Sequence, residues 1–212
     1  MIRAILVMLS LSITQAASEP VASLPFQRQL IREVHFRWGL DGPVAAMAAQ
    51  IQQESGWRPG ICSPYACGLT QFTPSTAAWI SGLEPELAGG NRFNPSWAIR
   101  ALVLYDFILY NKVPLAADEC ARWAFTLSAY NGGLGWVQRD VALCWRTPAC
   151  DPTQWWGNVA LQSKRAGWAL KENRGYPFKI LRNQSTYSTW GRQVECPRLP
   201  QSPLGSISSP VS

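Results

Sequence analysis

Apolar residues recur at helical spacing along most of this chain. Val44, Met47, Ala48 and Ile51 stand at i, i+3, i+4 and i+7, which is one face of a helix. Alanine dominates the positions between, and Pro43 suits a first helical position. Glu54 lies three residues after Ile51 and seven after Met47, so it continues the stripe. Gly56 then ends the helix. The same reading predicts helices at 25–38, 43–55, 74–81, 95–111, 118–130, 135–144 and 161–171. Asn94-Pro95 and Thr73-Pro74 are starts in which a capping residue precedes proline. The helix from Pro95 is apolar nearly all round and is predicted to be the central buried one. No apolar/polar alternation of any length appears. The predicted fold is a mainly α single globular domain over residues 19–196, with β structure limited to a short hairpin between Trp57 and Phe72. Residues 83–93 read as a loop, and the Pro- and Ser-rich residues 197–212 as a flexible tail.

The position of Glu54 has chemical consequences. A carboxylate on the buried face of a last helical turn is disfavoured by desolvation. The partial negative charge of the helix C-terminus disfavours it as well. Both raise its pKa, as a general acid working near neutrality requires.

The N-terminus changes the expected compartment. Arg3 precedes an apolar run over 4–13, and Ala16-Ala17-Ser18 offers a cleavage site. Residues 1–18 therefore read as a secretory signal, too short for a membrane span. Export to the periplasm or outside the cell is expected. Six cysteines agree with an oxidising compartment. Their spacing gives no paired C-x-x-C, and the only histidine, His35, lies far upstream on a helix. No metal site and no cofactor are expected. Six cysteines allow fifteen pairings. Cys62 and Cys67 flank a short Pro-containing turn, which favours a local staple. Cys144–Cys150 is a second local pair, and Cys120–Cys196 would tie the C-terminal segment to the body.

The net charge is +6, but its basic residues are scattered and form no run. Nucleic acid is not the expected partner. Eleven tryptophans are far more than usual. Most should fill the core, and Trp57, beside Glu54, is expected nearest a cleft.

Four segments carry a resemblance. They are Glu54-Ser55, Gly68-Leu69-Thr70-Gln71, the helix start at Asn94-Pro95, and Ala129-Tyr130-Asn131-Gly132-Gly133. In this order they resemble the soluble-lytic-transglycosylase domain of the lysozyme-like superfamily, which shows Glu-Ser, Gly-Leu-Met-Gln and Ala-Tyr-Asn-x-Gly. The resemblance covers residues 26–181, and Glu172 to Phe178 is similar to a further segment near the domain end. Thr70 stands where the family has Met, facing the sugar site, a departure that bears on subsite preference.

The resemblance implies a peptidoglycan lytic transglycosylase, monomeric, acting on the β-1,4 bond between N-acetylmuramic acid and N-acetylglucosamine. Glu54 would be its single acid and base, and 1,6-anhydromuramoyl ends its product. Tyr130 would hydrogen-bond near Glu54, Gln71 and Asn131 would hold acetamido groups, and Ser55 would orient the intermediate. Gly132 and Gly133 would allow close backbone approach, and Tyr176 would line the cleft. Two other readings fit the same residues. A goose-type-like muramidase would hydrolyse the same bond. A non-catalytic wall-binding part of a secretion, conjugation or phage machine would keep the fold without turnover, against which intact Glu54, Gln71 and Tyr130 argue.

Overall fold

Where the sequence sets apolar stripes, the chain forms helices. The computed structural model describes residues 18–197 and 199–204. After a 3₁₀ turn at Val21–Phe26 come α1 (Gln27–Trp38), α2 (Val44–Ser55), α3 (Pro74–Ser81), α4 (Pro95–Lys112), α5 (Glu119–Gly132), α6 (Leu134–Cys144) and α7 (Gly167–Asn183). The starts of α3, α4 and α5 are fixed by side-chain caps. Thr73 accepts from the Thr76 N–H at 3.1 Å, Asn94 from Ser96 at 2.9 Å and Asp118 from Ala121 at 2.7 Å. No sheet forms among the described residues. The expected hairpin region is reduced to isolated bridges, Cys62 with Cys67 and Cys67 with Phe72.

The central helix is α2 rather than α4. Nine of the twelve α2 residues are buried, against nine of eighteen in α4. The reason is side-chain size. Ala45, Ala46, Ala48 and Ala49 are all at most 2% exposed, and small residues let α7, the 3₁₀ turn at Gln184–Tyr187 and the C-terminal segment close in. Longer side chains on α4 hold their neighbours further off and are only partly covered, as with Tyr105, Phe107 and Tyr110.

The last helix departs most from the sequence pattern. It was expected over 161–171 but runs from Gly167 to Asn183, straight through Pro177. Tertiary bonds override the local preference. Arg174 is fully buried and bonds Asp140 of α6 at 2.7 Å, the Ala160 carbonyl at 2.8 Å and Asn173 at 2.7 Å. Asn173 in turn donates to the Ser128 carbonyl of α5 at 2.9 Å. The middle of α7 is thereby held to α5 and α6.

All six cysteines are bonded, as Cys62–Cys67, Cys120–Cys196 and Cys144–Cys150. The second joins the start of α5 to a segment 76 residues later. Its reduction should cost about 2–5 kcal/mol, since the unfolded chain regains the freedom of a long loop. A lower thermal midpoint in strong reductant would show it. An unchanged midpoint with six free thiols would contradict it. Of the segment expected as a tail, Leu199 packs against the core and Pro203 reaches the main cavity. The signal expected at 1–18 lies outside the described residues, apart from Ser18. Among the described residues, no helix is long and apolar enough to cross a membrane.

Candidate active site

The enclosed helix α2 ends at the floor of a cavity of about 770 Å³, and Glu54 stands there in its last turn. Gly56 caps the helix in the left-handed conformation, φ 58°. The Glu54 carboxyl is packed deep in protein yet keeps partial contact with solvent through the cavity. Burial pushes its pKa up to about 8, a hydrogen bond from Tyr176 opposes the rise, and Glu172 adds to it. The Tyr176 hydroxyl donates directly to Glu54 Oε1.

The loop between α2 and α3 forms one wall. The Ser55 hydroxyl donates to the Leu69 carbonyl at 2.7 Å, tying the loop to the end of α2. Gly68 has φ 86°, and a Cβ there would lie 1.9 Å from the Arg92 carbonyl oxygen, so only glycine fits. Gln71 also has positive φ, 48°. Its amide nitrogen holds that strained turn by donating to the Ile61 carbonyl at 3.0 Å and the Gly68 carbonyl at 2.9 Å. The amide oxygen of Gln71 has no such partner among the described residues and is the group left for a ligand.

The opposite side comes from α5 and α7. Tyr130 donates to the Thr70 carbonyl at 2.8 Å and lies parallel to Tyr176, ring centroids 6.2 Å apart. Burial holds both phenols well above their ordinary pKa, and Glu54 adds to the rise. They are hydroxyl donors across the working range. Asn131 lines the cavity, its side-chain oxygen accepting from Asn173 at 3.1 Å. Along α7, Trp168, Lys171, Glu172, Gly175, Tyr176 and Lys179 all face the cavity. These positions follow one helical stripe of about 16 Å. Trp168 is 72% exposed, an open aromatic face at the rim.

Glu54, Gln71, Tyr130, Asn131 and Tyr176 thus meet around one cavity. Thr70 does not join them. It is 1% exposed and absent from the lining, and only its carbonyl takes part. Ser55 is likewise buried and engaged with the loop. The hydrogen bond on Glu54 comes from Tyr176, where the sequence suggested Tyr130. Gly132 packs closely, but against Arg165 and Asn173. Trp57 is not at the cleft. Its own φ of 63° turns it inward, onto Phe26, Tyr187 and Trp190, and its indole N–H bonds Tyr187 at 2.7 Å. Tyr105, Trp168, Lys171, Glu172 and Lys179 were missed as lining residues. The i, i+3, i+4 spacing along 168–179 was the signal for the four on α7, hidden behind Pro177. A second depression of about 570 Å³ lies by α1 and α4, but Arg37 and Arg100 there are engaged by Glu84 and Glu33. No group of three or more potential metal ligands occurs among the described residues.

The helical core and this cleft define a lysozyme-like domain. The fold is shared with the 70 kDa soluble lytic transglycosylase of Escherichia coli, at TM-score 0.54 and 23% identity over 79% of this chain and 25% of that one. The complex of the 70-kDa soluble lytic transglycosylase with bulgecin A gives TM-score 0.57 at 22% identity, over 84% of this chain and 27% of that one. The chain belongs to the transglycosylase SLT domain family, whose pattern matches residues 37–144. Similar curated proteins include membrane-bound lytic murein transglycosylase F 1 of Alkalilimnicola ehrlichii, 29% identical over 86% of this chain and 36% of the relative. Membrane-bound lytic murein transglycosylase F of Shewanella frigidimarina is 31% identical over 51% of this chain and 21% of its own length. The chain spans about a third or less of these relatives.

Proposed function

We propose that this domain is an exported lytic transglycosylase that cuts the N-acetylmuramic acid–β-1,4–N-acetylglucosamine bond of peptidoglycan, with Glu54 as its single acid and base. One observation carries the reading. Glu54 is a carboxyl whose pKa, about 8, keeps it protonated at neutral pH, at the floor of an open cavity and hydrogen-bonded by Tyr176. Family membership and the murein-acting relatives give the substrate class.

The steps balance within the substrate. Glu54 gives its proton to the glycosidic oxygen as the bond from the muramoyl C1 breaks. The carbonyl oxygen of the neighbouring N-acetyl group takes up C1 as an oxazolinium-like intermediate. Glu54, now a carboxylate, removes the proton of the sugar's own C6 hydroxyl. That oxygen displaces the acetamido oxygen at C1, leaving a 1,6-anhydro ring and a reprotonated Glu54. No water is consumed, and the tethered hydroxyl attacks without an entropic cost of capture. Tyr176 steadies the Glu54 carboxylate between its two jobs. The free amide oxygen of Gln71 receives an acetamido N–H group, and the Asn131 amide nitrogen donates to an acetamido carbonyl. Ser55, Thr70 and Tyr130 support these from behind, by fixing the loop. Trp168 offers a stacking face for a sugar ring.

A second reading has its own observation. Glu172 is the other carboxyl of the lining, exposed on α7. If it activated water, the domain would hydrolyse the bond instead. Its exposure, with no hydrogen-bond partner to aim it, favours the first reading.

Tyr176→Phe tests the assignment. The Tyr176 hydrogen bond lowers the pKa of Glu54, so its loss should raise that pKa and move the alkaline limb of activity to higher pH. Turnover should drop at the same time, because the carboxylate that must form is less stabilised. Turbidity clearing of purified cell walls across pH 5–10 measures both. A limb that stays in place in an otherwise folded Tyr176→Phe protein would remove Glu54 as the titrating acid.

A further inference from the structure

We propose that Asp106 is a neutral carboxylic acid locked to Gln50, and that the pair is a positioning device beneath Glu54. Both side chains are fully buried. The Gln50 amide nitrogen donates to Asp106 Oδ1 at 3.4 Å, linking α2 to α4. Two oxygens are left over, Gln50 Oε1 and Asp106 Oδ2, and neither has a partner among the described residues. Two unpaired acceptors on one hydrogen-bonded pair in a closed interior are costly. One proton on Oδ2 resolves both. A carboxylic acid presents an acceptor and a donor along one edge, and a carboxamide presents the complement. Oδ2–H then donates to Oε1 while Nε2–H donates to Oδ1, and the ring closes.

The surroundings agree. The titratable groups that act on Asp106, or feel it, are Glu54 on α2, Tyr105 on its own helix, Tyr130 on α5 and Tyr176 on α7. No lysine, arginine or histidine is among them. Burial pushes the Asp106 carboxyl well above the ordinary range, against the opposing Gln50 contact, and Glu54 adds to the rise.

The placement gives the pair its meaning, and this part rests on Glu54 as the acid. Gln50 precedes Glu54 by four residues, so it lies one turn below on the same face. The ring therefore pins the turn that carries Glu54. It also keeps that turn free of charge. When Glu54 gives up its proton, an ionised Asp106 would oppose the new anion and tighten the hold on the proton. A neutral Asp106 does not. Asp106 is absent from the cavity lining, so it does not touch substrate.

The test separates the protonation state from the identity of the acid. Glu54→Gln protein, labelled with carboxyl-¹³C aspartate, is examined by infrared spectroscopy at neutral pH. A protonated-carboxyl carbonyl band that shifts on labelling, and is lost in the Glu54→Gln/Asp106→Asn protein, is expected. Loss of the band in the double variant assigns it to Asp106 rather than to Asp140, which is also buried and is bonded to Arg174. No label-sensitive band would overturn the proposal, whatever Glu54 does. In otherwise wild-type protein, Asp106→Leu strands Gln50 and should lower kcat at least about tenfold. Asp106→Asn keeps a donor and an acceptor edge and should restore most of it, with the alkaline limb unmoved. A limb moved to lower pH in Asp106→Asn would mean that an anion had been removed, and would also overturn it. Equal kcat in the Leu and Asn variants would overturn the positioning role.

Discussion

Glu54→Gln should abolish wall clearing, by about 100-fold or more, while making the protein more stable at alkaline pH. The two effects share one cause. Glutamine keeps the shape of the side chain but has no proton to give. It also cannot ionise in a site that resists ionisation. The Glu54 pKa is raised from 4.5 in the unfolded reference to about 8 in the fold. Its contribution is thus fully present below pH 4.5 and is lost as pH rises through 8. After discount for its contact with solvent, that loss is on the order of 3 kcal/mol. Wild-type stability should fall across this window, and the Glu54→Gln slope should be shallower. Asp106 contributes a slope of the same sign, so the slope does not vanish. Denaturant unfolding at several pH values measures the difference. Parallel slopes for the two proteins would show that Glu54 is not held protonated by the fold.

Arg174→Met should be the most damaging single change away from the cleft. Arg174 and Asp140 are each 0% exposed and bonded at 2.7 Å. Methionine fills part of the space but leaves the Asp140 carboxylate buried with Arg165 as its nearest cation, at 3.9 Å. Breaking such a pair from one side costs about 3–5 kcal/mol. The middle of α7 also loses its bond to the Ala160 carbonyl. Chemical denaturation should show the loss directly. The cavity wall formed by α7 should loosen with it, so activity should decline at temperatures where the wild type is still folded. A variant of unchanged stability would mean that α7 is held by its apolar packing alone.

The parts of this architecture that obey local rules could be read from the sequence. The α2 stripe from Val44 to Glu54 follows helical periodicity, and the starts at Asn94 and Thr73 follow capping chemistry. The course of α7 could not be read in the same way. Gly175 and Pro177 argue locally for a break, and the buried bonds of Asn173 and Arg174, with the apolar packing of α7 on α2 and α5, carry the helix across them. With the helix expected to stop at 171, the stripe from Trp168 to Lys179 was cut, and most of the cavity wall that α7 supplies went unseen. Trp57 shows another limit. Adjacency to Glu54 suggested the cleft, but Gly56 and Trp57 both take positive φ, and the chain turns away between them. Asp106 and Gln50 lie 56 residues apart, and nothing in either local pattern announces the pair. Contacts made by the fold, rather than by neighbours in the chain, are what the sequence alone withholds.

The central claim is that one carboxyl, Glu54, does the work of acid and base. Its product tests this most directly. Purified peptidoglycan is digested with the wild-type domain and with Glu172→Gln, and the muropeptides are separated by liquid chromatography with mass detection. Chains ending in 1,6-anhydromuramic acid, one water lighter than the hydrolytic product, are expected from both proteins. Free reducing muramic acid as the main end group, lost in Glu172→Gln, would contradict the claim and make Glu172 the base that activates water.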